Sequence, residues 1–277
     1  MRMGRKSPET SVFPGGAVVI PCPALSALDR GAALEPACKH IPSATERLRE
    51  RFYGGREHPY GTFERLIRQS VTSETLLLDA GCGRRAETLQ RLAPYVKTAI
   101  GIDLVDFADD VRGSAVQVAK GDLRSIALRD ASMDVVVARS VMEHLSDPDA
   151  AYAEISRVLK PGGRFIFLTP QLWDYGSVFA KLIPNRLHPF VVRKVEGRDE
   201  RDTFPVQYKS NTAGAVRRLA SRHGFRVETV SHLNQYPCYL MFNPALFLLG
   251  TAYELVTSRW QALRALRGWL LIALRKA

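Results

Sequence analysis

Leu76-Leu77-Leu78-Asp79-Ala80-Gly81-Cys82-Gly83 is the stretch on which the fold turns. An apolar run ends in an acid, and a Gly-x-Gly turn follows at once. The apolar run reads as a buried strand, and Arg84 to Leu92 reads as a helix behind the turn. Glycines at this place let backbone approach a ligand closely. A strand end facing a helix N-terminus makes a crevice of the kind that holds nucleotides.

Working outward, strand and helix patterns alternate from Thr75 onward. The strands expected are Leu76–Asp79, Thr98–Ile102, Val116–Ala119, Val135–Ala138 and Arg164–Leu168. Arg84–Leu92, a short turn at Val105–Val111 and a helix Pro148–Leu159 lie between them. The strands are apolar on both faces, as parallel strands between helix layers must be. Asp147 is placed to cap the helix that Pro148 opens and Pro161-Gly162-Gly163 closes. Its apolar positions Ala151, Tyr152, Ile155, Val158 and Leu159 share one face. Further on, Asn211 is expected to cap a helix to about Arg222, and Phe225–Ser231 to form a strand. A helix Ala245–Arg259 follows. Trp269–Leu274 is expected as a last strand, antiparallel to Phe225–Ser231 at the sheet edge. The fold class is therefore α/β, a Rossmann-like doubly wound sheet, mostly parallel, with an antiparallel C-terminal edge strand.

The flanks divide the chain further. Residues 1–41, rich in Pro, Gly and Ala, read as a disordered N-terminal segment. Residues 42–70 read as a helical cover, with Ser43 and Glu46 in a capping-box pattern before Ala44–Phe52 and a second helix over Thr62–Gln69. Residues 71–277 form the main domain, with insertions at about 170–210 and 234–268.

Composition excludes several classes. The chain has 277 residues, 46% hydrophobic and 24% charged, enough for one large domain with a full core. Cys22, Cys38, Cys82 and Cys238 have no metal-ligand spacing and no disulfide-framework density, so no metal site and a reducing cytoplasm are expected. Pro8, Pro14, Pro21 and Pro23 break any secretory apolar core. Asn243-Pro244 and Glu254 break the apolar run Tyr236–Val256, which makes a poor membrane span. The formal net charge of +11 is dispersed rather than blocked, and no nucleic-acid motif accompanies it. Arg259, Arg264, Arg267, Arg275 and Lys276 accompany Trp260, Leu263, Leu266 and Trp269. That mixture suits peripheral contact with an anionic bilayer, or equally a helix packed on its own core, which is the reading preferred here.

With these segments in place, the chain resembles the class I S-adenosylmethionine-dependent methyltransferases over roughly Thr75 to Val230. Asp79-Ala80-Gly81-Cys82-Gly83 looks like the first motif of that family, and Ile100-Gly101-Ile102-Asp103 like the second strand with its terminal acid. Lys120-Gly121-Asp122-Leu123 looks like the third motif. Met133-Asp134-Val135-Val136-Val137 with Met142-Glu143-His144-Leu145, then Val158-Leu159-Lys160-Pro161-Gly162-Gly163, are similar to the fourth and fifth. The resemblance implies S-adenosylmethionine as cofactor. Asp79 would meet its ammonium, while Ala80, Gly81 and Gly83 would pass beside its amino-acid tail. Asp103, with Leu104 beside it, would accept the two ribose hydroxyls. Asp122, with the Leu123 backbone, would take the adenine amino group, and Arg139 and Ser140 would lie near the cofactor's centre.

One departure keeps a second reading open. Gly81-x-Gly83-x-x-Ala86 with Asp103 further on also fits a dinucleotide fingerprint, hence an NAD(P)-dependent oxidoreductase. Against it, Asp79 would repel a pyrophosphate, and Asp122 is a strand-end acid that such a fold does not require. A non-catalytic binding relative is a third reading. The acceptor expected is a small molecule, a sugar, glycan precursor or secondary metabolite, methylated at oxygen. An oxygen acceptor profits from a base, for which His144, His188, Tyr208 and Glu143 are candidates. Leu187-His188-Pro189, Glu196-Gly197-Arg198, Asp202-Thr203-Phe204-Pro205 and Tyr208-Lys209-Ser210-Asn211-Thr212 loosely resemble a subgroup found around bacterial sugar-polymer and natural-product pathways. Adenine-modifying enzymes carry an Asn/Asp-Pro-Pro-aromatic motif after the fourth strand, where this chain has Arg139-Ser140-Val141-Met142.

Overall fold

The computed structural model describes residues 41–111, 115–176 and 205–277. The expected disordered segment lies, but for residue 41, outside the described residues, as do His188 and most of the insertion at 170–210. Seven strands form one sheet: β1 (Leu76–Ala80), β2 (Thr98–Asp103), β3 (Gln117–Lys120), β4 (Met133–Arg139), β5 (Leu159–Pro170), β6 (Phe225–Leu233) and β7 (Trp269–Lys276). Their order is β3-β2-β1-β4-β5-β7-β6. β1 to β5 pair in parallel, and β7 runs antiparallel to both β5 and β6. The C-terminal strand is antiparallel as expected, but it lies inside the sheet. β6 takes the edge, because β7 is apolar and buried over Trp269–Leu274 whereas β6 is exposed over Arg226–Glu228.

Six helices accompany the sheet, numbered here among the described residues: α1 (Ser43–Tyr53), α2 (Pro59–Arg68), α3 (Glu87–Leu92), α4 (Pro148–Val158), α5 (Ala213–Arg222) and α6 (Pro244–Arg259). The double-sided strands split the core. Leu78, Val136, Phe165, Phe167 and Ile272 face α4 and α5. Leu77, Val135, Val137, Ile166 and Leu271 face α2 and α3. Tyr152 of α4 meets Phe165, Phe167 and Phe225 edge-on, a geometry aromatic rings favour beyond simple burial. The alternation explains why these strands look uniformly apolar in sequence.

Local punctuation corrects several boundaries. Asp147 does cap α4, accepting from the Ala150 amide at 3.1 Å. The chain re-enters the sheet at once: β5 starts at Leu159 opposite Met133, and the register slips across Pro161-Gly162-Gly163 before Arg164 pairs with Val135. Asp134 anchors that slip by accepting from Lys160 Nζ at 2.7 Å and from the Leu76 amide at 2.8 Å. α1 begins at Ser43 without a side-chain cap, since the N-cap position falls on Pro42 and the expected capping box does not form; Glu46 pairs with Arg49. α2 starts earlier than expected, at Pro59, capped by the His58 ring. α3 is shortened to Glu87–Leu92 because Ala86 takes a left-handed conformation, φ 45°. Val105–Val111 ends in a turn as expected, the Val111 amide donating to the Ala108 carbonyl at 3.1 Å. Thr212, not Asn211, caps α5.

α6 is capped by Asn243 and packs against α1. Among the described residues no helix is long and apolar enough to cross a membrane. The expected basic-aromatic stripe is broken up. Gln261–Leu266 is a 3-10 turn, and Trp269 opens β7, buried edge-on against Tyr60. Arg275 pairs with Glu228, and Lys276 donates to the Ser156 and Leu159 carbonyls.

Candidate active site

The crevice lies at the carboxyl ends of β1, β2 and β4, where the strand order reverses. β1 delivers Asp79 and Ala80 into the turn. Gly81 has φ 86° and Gly83 φ 73°, a region that L side chains rarely adopt. The turn leans on β2: the Gly81 amide donates to the Ile102 carbonyl at 2.7 Å, and the Gly83 amide to Asp103 Oδ2 at 2.7 Å. A Cβ on Gly81 would run into the Val141 side chain, whereas one on Gly83 would meet only open space. The first glycine is thus demanded by the protein's own packing as well as by its φ. The second is demanded by φ alone, and it leaves a clear surface over the loop.

Asp79 is 2% exposed. Burial pushes its carboxyl up to about 7, Arg139 opposes that rise, and Asp103 adds to it. A buried carboxyl this costly to ionise would be stabilised in its charged form by a cation placed beside it. Asp103 holds a different posture: Oδ2 takes the Gly83 amide and Oδ1 the Val105 amide at 3.2 Å. These two donors fix the carboxylate while each oxygen retains a lone pair for a diol. Leu104 beside it is 52% exposed. The Asp122 carboxylate is held bidentately by Arg124, Nε donating to Oδ1 at 3.1 Å and Nη2 to Oδ2 at 2.6 Å, which keeps it below the usual carboxylate range. The Leu123 side chain turns into the core. Arg124 was missed in the sequence, although a guanidinium two residues from an acid is a visible signal.

Arg139 leaves β4 with its guanidinium 4.6 Å from the Tyr60 ring centroid, a cation–π contact that orients it over the crevice. Tyr60 is a second residue that sequence reading missed, because it comes from the helical cover. Ser140 follows with φ 55°, and its hydroxyl oxygen is buried with no hydrogen-bond partner among the described residues. The buried acid, the donor-held acid, the cleared loop and this orphaned hydroxyl fit a ligand with a cationic tail and a ribose. A pyrophosphate above a buried carboxylate would be repelled.

A second cluster sits just past β4. Glu143 is 4% exposed, and its Oε1 lies 3.8 Å from His144 Nε2. His144 Nδ1 contacts the Pro205 carbonyl at 3.3 Å. Thr169 Oγ1 donates to Glu143 Oε2 at 3.0 Å, and Asn211 Nδ2 donates to Thr169 Oγ1 at 2.7 Å and to the Pro170 carbonyl at 2.8 Å. Asn211, expected as a helix cap, therefore closes a hydrogen-bonded chain Asn211–Thr169–Glu143 that ends beside an imidazole. Tyr208 joins the same place through its backbone: it has φ 51°, is 9% exposed, and its amide donates to the Glu143 carbonyl at 3.1 Å. His144, Glu143 and Tyr208 are brought together, while His188 lies outside the described residues. Among the described residues no cluster of His, Cys, Asp and Glu has a metal-binding arrangement.

Comparison with known proteins bears on the same crevice. Residues 78–167 match a family model described as a methyltransferase domain. Over 205 residues the chain is 30% identical to a Mycolicibacterium smegmatis protein named "Probable S-adenosylmethionine-dependent methyltransferase", covering 66% of this chain and 74% of that one. It is 36% identical over 105 residues to an uncharacterised 37.1 kDa protein of a Streptomyces fradiae transposon, a match covering 35% of this chain but only 30% of the relative. The crystal structure of an S-adenosylmethionine-dependent methyltransferase from Mesorhizobium loti superposes with TM-score 0.52 at 17% identity, over 78% of this chain and 97% of that one, a likeness of fold alone.

Proposed function

The chain belongs to the S-adenosylmethionine-dependent methyltransferases, and from that premise we propose that it moves the methyl group to an oxygen of a small-molecule acceptor. S-adenosylmethionine supplies an activated methyl on a sulfonium, open to in-line displacement. The protein binds, orients and manages one proton. Asp79 offers a carboxylate to the cationic tail, Asp103 takes the ribose hydroxyls, and the Gly81–Gly83 loop lets the tail lie against backbone. Alignment of the two reactants supplies about 7–11 kcal/mol of barrier lowering in favourable cases, so little further chemistry is needed.

The observation that supports oxygen as the acceptor atom is the Glu143–His144 pair, with Oε1 and Nε2 3.8 Å apart. A hydroxyl has a high pKa and must lose its proton as it attacks the methyl carbon. With the cofactor bound, His144 would take the proton that the attacking hydroxyl gives up as its oxygen receives the methyl group and the C–S electron pair stays with sulfur. Glu143, held by Thr169, stabilises the imidazolium that results.

The test is a mass-spectrometric screen of hydroxyl, amine and carbon acceptors with S-adenosylmethionine, followed by His144→Ala on the best substrate. A methylated hydroxyl and a turnover loss of about 10²-fold are expected, with S-adenosylhomocysteine affinity unchanged. Methylation of amines alone, or an unaltered rate in the variant, refutes the oxygen reading.

A further inference from the structure

A cavity of about 610 Å³ opens beside the crevice, at the ends of β5 and β6 near the start of α5. Gln171, Thr212, Arg217, His232, Arg264 and Arg267 line it, and among the described residues none that lines it is acidic. Among the described residues none of the three guanidiniums is in an ion pair. Arg267 is locked by three carbonyls, those of Thr257, His232 and Ser258, at 2.9, 3.3 and 3.2 Å. That is a fixed positive charge held by carbonyls, with no ion pair among the described residues. Arg217 and Arg264 are exposed and stand on α5 and on the 3-10 turn.

The polar frame of the cavity is built rather than incidental. Gln171 is 2% exposed, its Nε2 donates to the Arg264 carbonyl at 3.1 Å, and its Oε1 lies 2.6 Å from His232 Nδ1. Thr212 caps α5 by accepting from the Ala215 amide at 3.2 Å. The first turn of this ten-residue helix therefore presents its amides and its positive dipole end at the wall, and Gly214 leaves that wall open. The field of the three arginines is felt inside the cavity: burial first, then Arg264, Arg267 and Arg217, hold the His232 imidazole below its ordinary range. Trp173, 57% exposed, stands at the rim as a flat apolar face.

Three cations, a helix N-terminus and no acid are what a multiply charged oxyanion requires, and a planar fork of donors suits phosphate oxygens. The geometry points to this cavity as a binding site for an organic diphosphate, with the anion between Arg217, Arg264 and the α5 amides and the organic part against Trp173. Position adds to the argument. Gln171 follows β5 directly, and Asn211, which precedes Thr212, is bonded to Thr169 and through it to Glu143. Gln171 and Thr212 of the cavity thus adjoin in sequence the Asn211–Thr169–Glu143 chain, and the diphosphate is taken as the anchoring end of the methyl acceptor. That last clause rests on the proposed function; the site itself does not.

The test is calorimetric titration of the full chain, with S-adenosylhomocysteine bound, using inorganic pyrophosphate, a nucleoside diphosphate and a prenyl diphosphate. Arg217→Ala/Arg264→Ala is the variant, chosen because both side chains are exposed, and Arg267 is left alone because its bonds serve the fold. Pyrophosphate is expected to bind, and at least one organic diphosphate is expected to bind more tightly and displace it, naming the source. The double variant should weaken both by at least about tenfold, the scale of one lost charge-assisted bond, with S-adenosylhomocysteine affinity unchanged. Equal affinity in the double variant, no binding at millimolar concentration, or an organic diphosphate that fails to displace pyrophosphate overturns the proposal. These outcomes are read by binding alone, so they stand apart from the acceptor screen and the His144→Ala rates.

Discussion

Asp79→Asn should make the ligand-free protein more stable while crippling it as an S-adenosylmethionine binder. The carboxyl sits under the glycine loop, buried, with its ionisation pushed from 3.8 to about 7 chiefly by desolvation. At 1.36 kcal/mol per unit, that gap caps the cost of holding the charge at about 4 kcal/mol. The sign follows from linkage: a group whose folded pKa lies above its unfolded value gives full stability below about pH 4. That contribution is lost as pH rises, and the loss is complete above about pH 7. Asparagine keeps the shape and cannot ionise, but its amide must find partners at a cost of about 1–3 kcal/mol. The net gain at pH 8 is then about 1–3 kcal/mol, roughly 2–10 °C in Tm for a domain of this size. At pH 5 the gain should vanish or reverse. Scanning calorimetry of wild type and variant at both pH values measures this directly. The second half concerns the ligand. A cationic ammonium binds the carboxylate form, so wild-type affinity for S-adenosylhomocysteine should fall by about tenfold per pH unit below 7, and the variant should lack that slope. A variant destabilised equally at pH 5 and pH 8, with ligand affinity intact, would refute the account of Asp79 as an unsolvated charge waiting for a cation.

The other residues of the crevice make separable predictions. Asp103→Ala should weaken S-adenosylhomocysteine binding by about 1.5–3 kcal/mol, the scale of hydrogen bonds to a charged group. It should also loosen the loop, since the Gly83 amide loses its 2.7 Å partner, and an unchanged calorimetric Kd would remove the ribose assignment. Gly81→Ala should cost more stability than Gly83→Ala, because only at Gly81 does a new Cβ meet a neighbour, Val141, in addition to the strain of positive φ. Equal shifts in chemical-denaturation midpoint for the two would show that backbone conformation alone sets the glycine requirement.

Much of this architecture could be read in the chain because its signals are local. The parallel strands are short apolar runs with polar punctuation, and Asp147-Pro148 marks α4 without help from tertiary structure. What escaped was decided by contacts between distant residues. The order of the last two strands is one case: the pairing that puts β7 between β5 and β6 joins segments far apart in sequence, although the apolar run Trp269–Leu274 against Arg226 and Glu228 of β6 already marks the inner strand. The α3 start is another, since a left-handed Ala86 violates the propensity of the residue.

The site divides along the same line. Asp79, Gly81, Gly83 and Asp103 are one motif and its neighbouring strand end, so their juxtaposition follows from the βαβ unit itself. Tyr60, Thr169 and Asn211 come from three other parts of the chain, and each carries a bland alternative: a helix aromatic, a strand threonine, a helix cap. Asn211 is the instructive case. One residue separates the cap that was expected from the cap that forms, and that shift releases a buried amide to hold Thr169, which holds Glu143, which faces His144. α6 shows the same limit on a larger scale. Apolar periodicity would turn Leu248, Leu249, Leu255 and Val256 inward, yet the residues buried are Phe247, Gly250, Thr251, Glu254 and Thr257, only the first of them a large apolar side chain. Asn234, at the end of β6, donates to the Glu254 carbonyl and to Thr257 Oγ1, and Gly250 fits under Pro237 where no Cβ has room. The helix is thus oriented by one buried aromatic, Phe247 against Tyr53, by specific polar bonds and by one close approach, rather than by the area of its leucine stripe. Bonds of that kind connect residues about twenty positions apart, beyond the window in which a periodic pattern carries information.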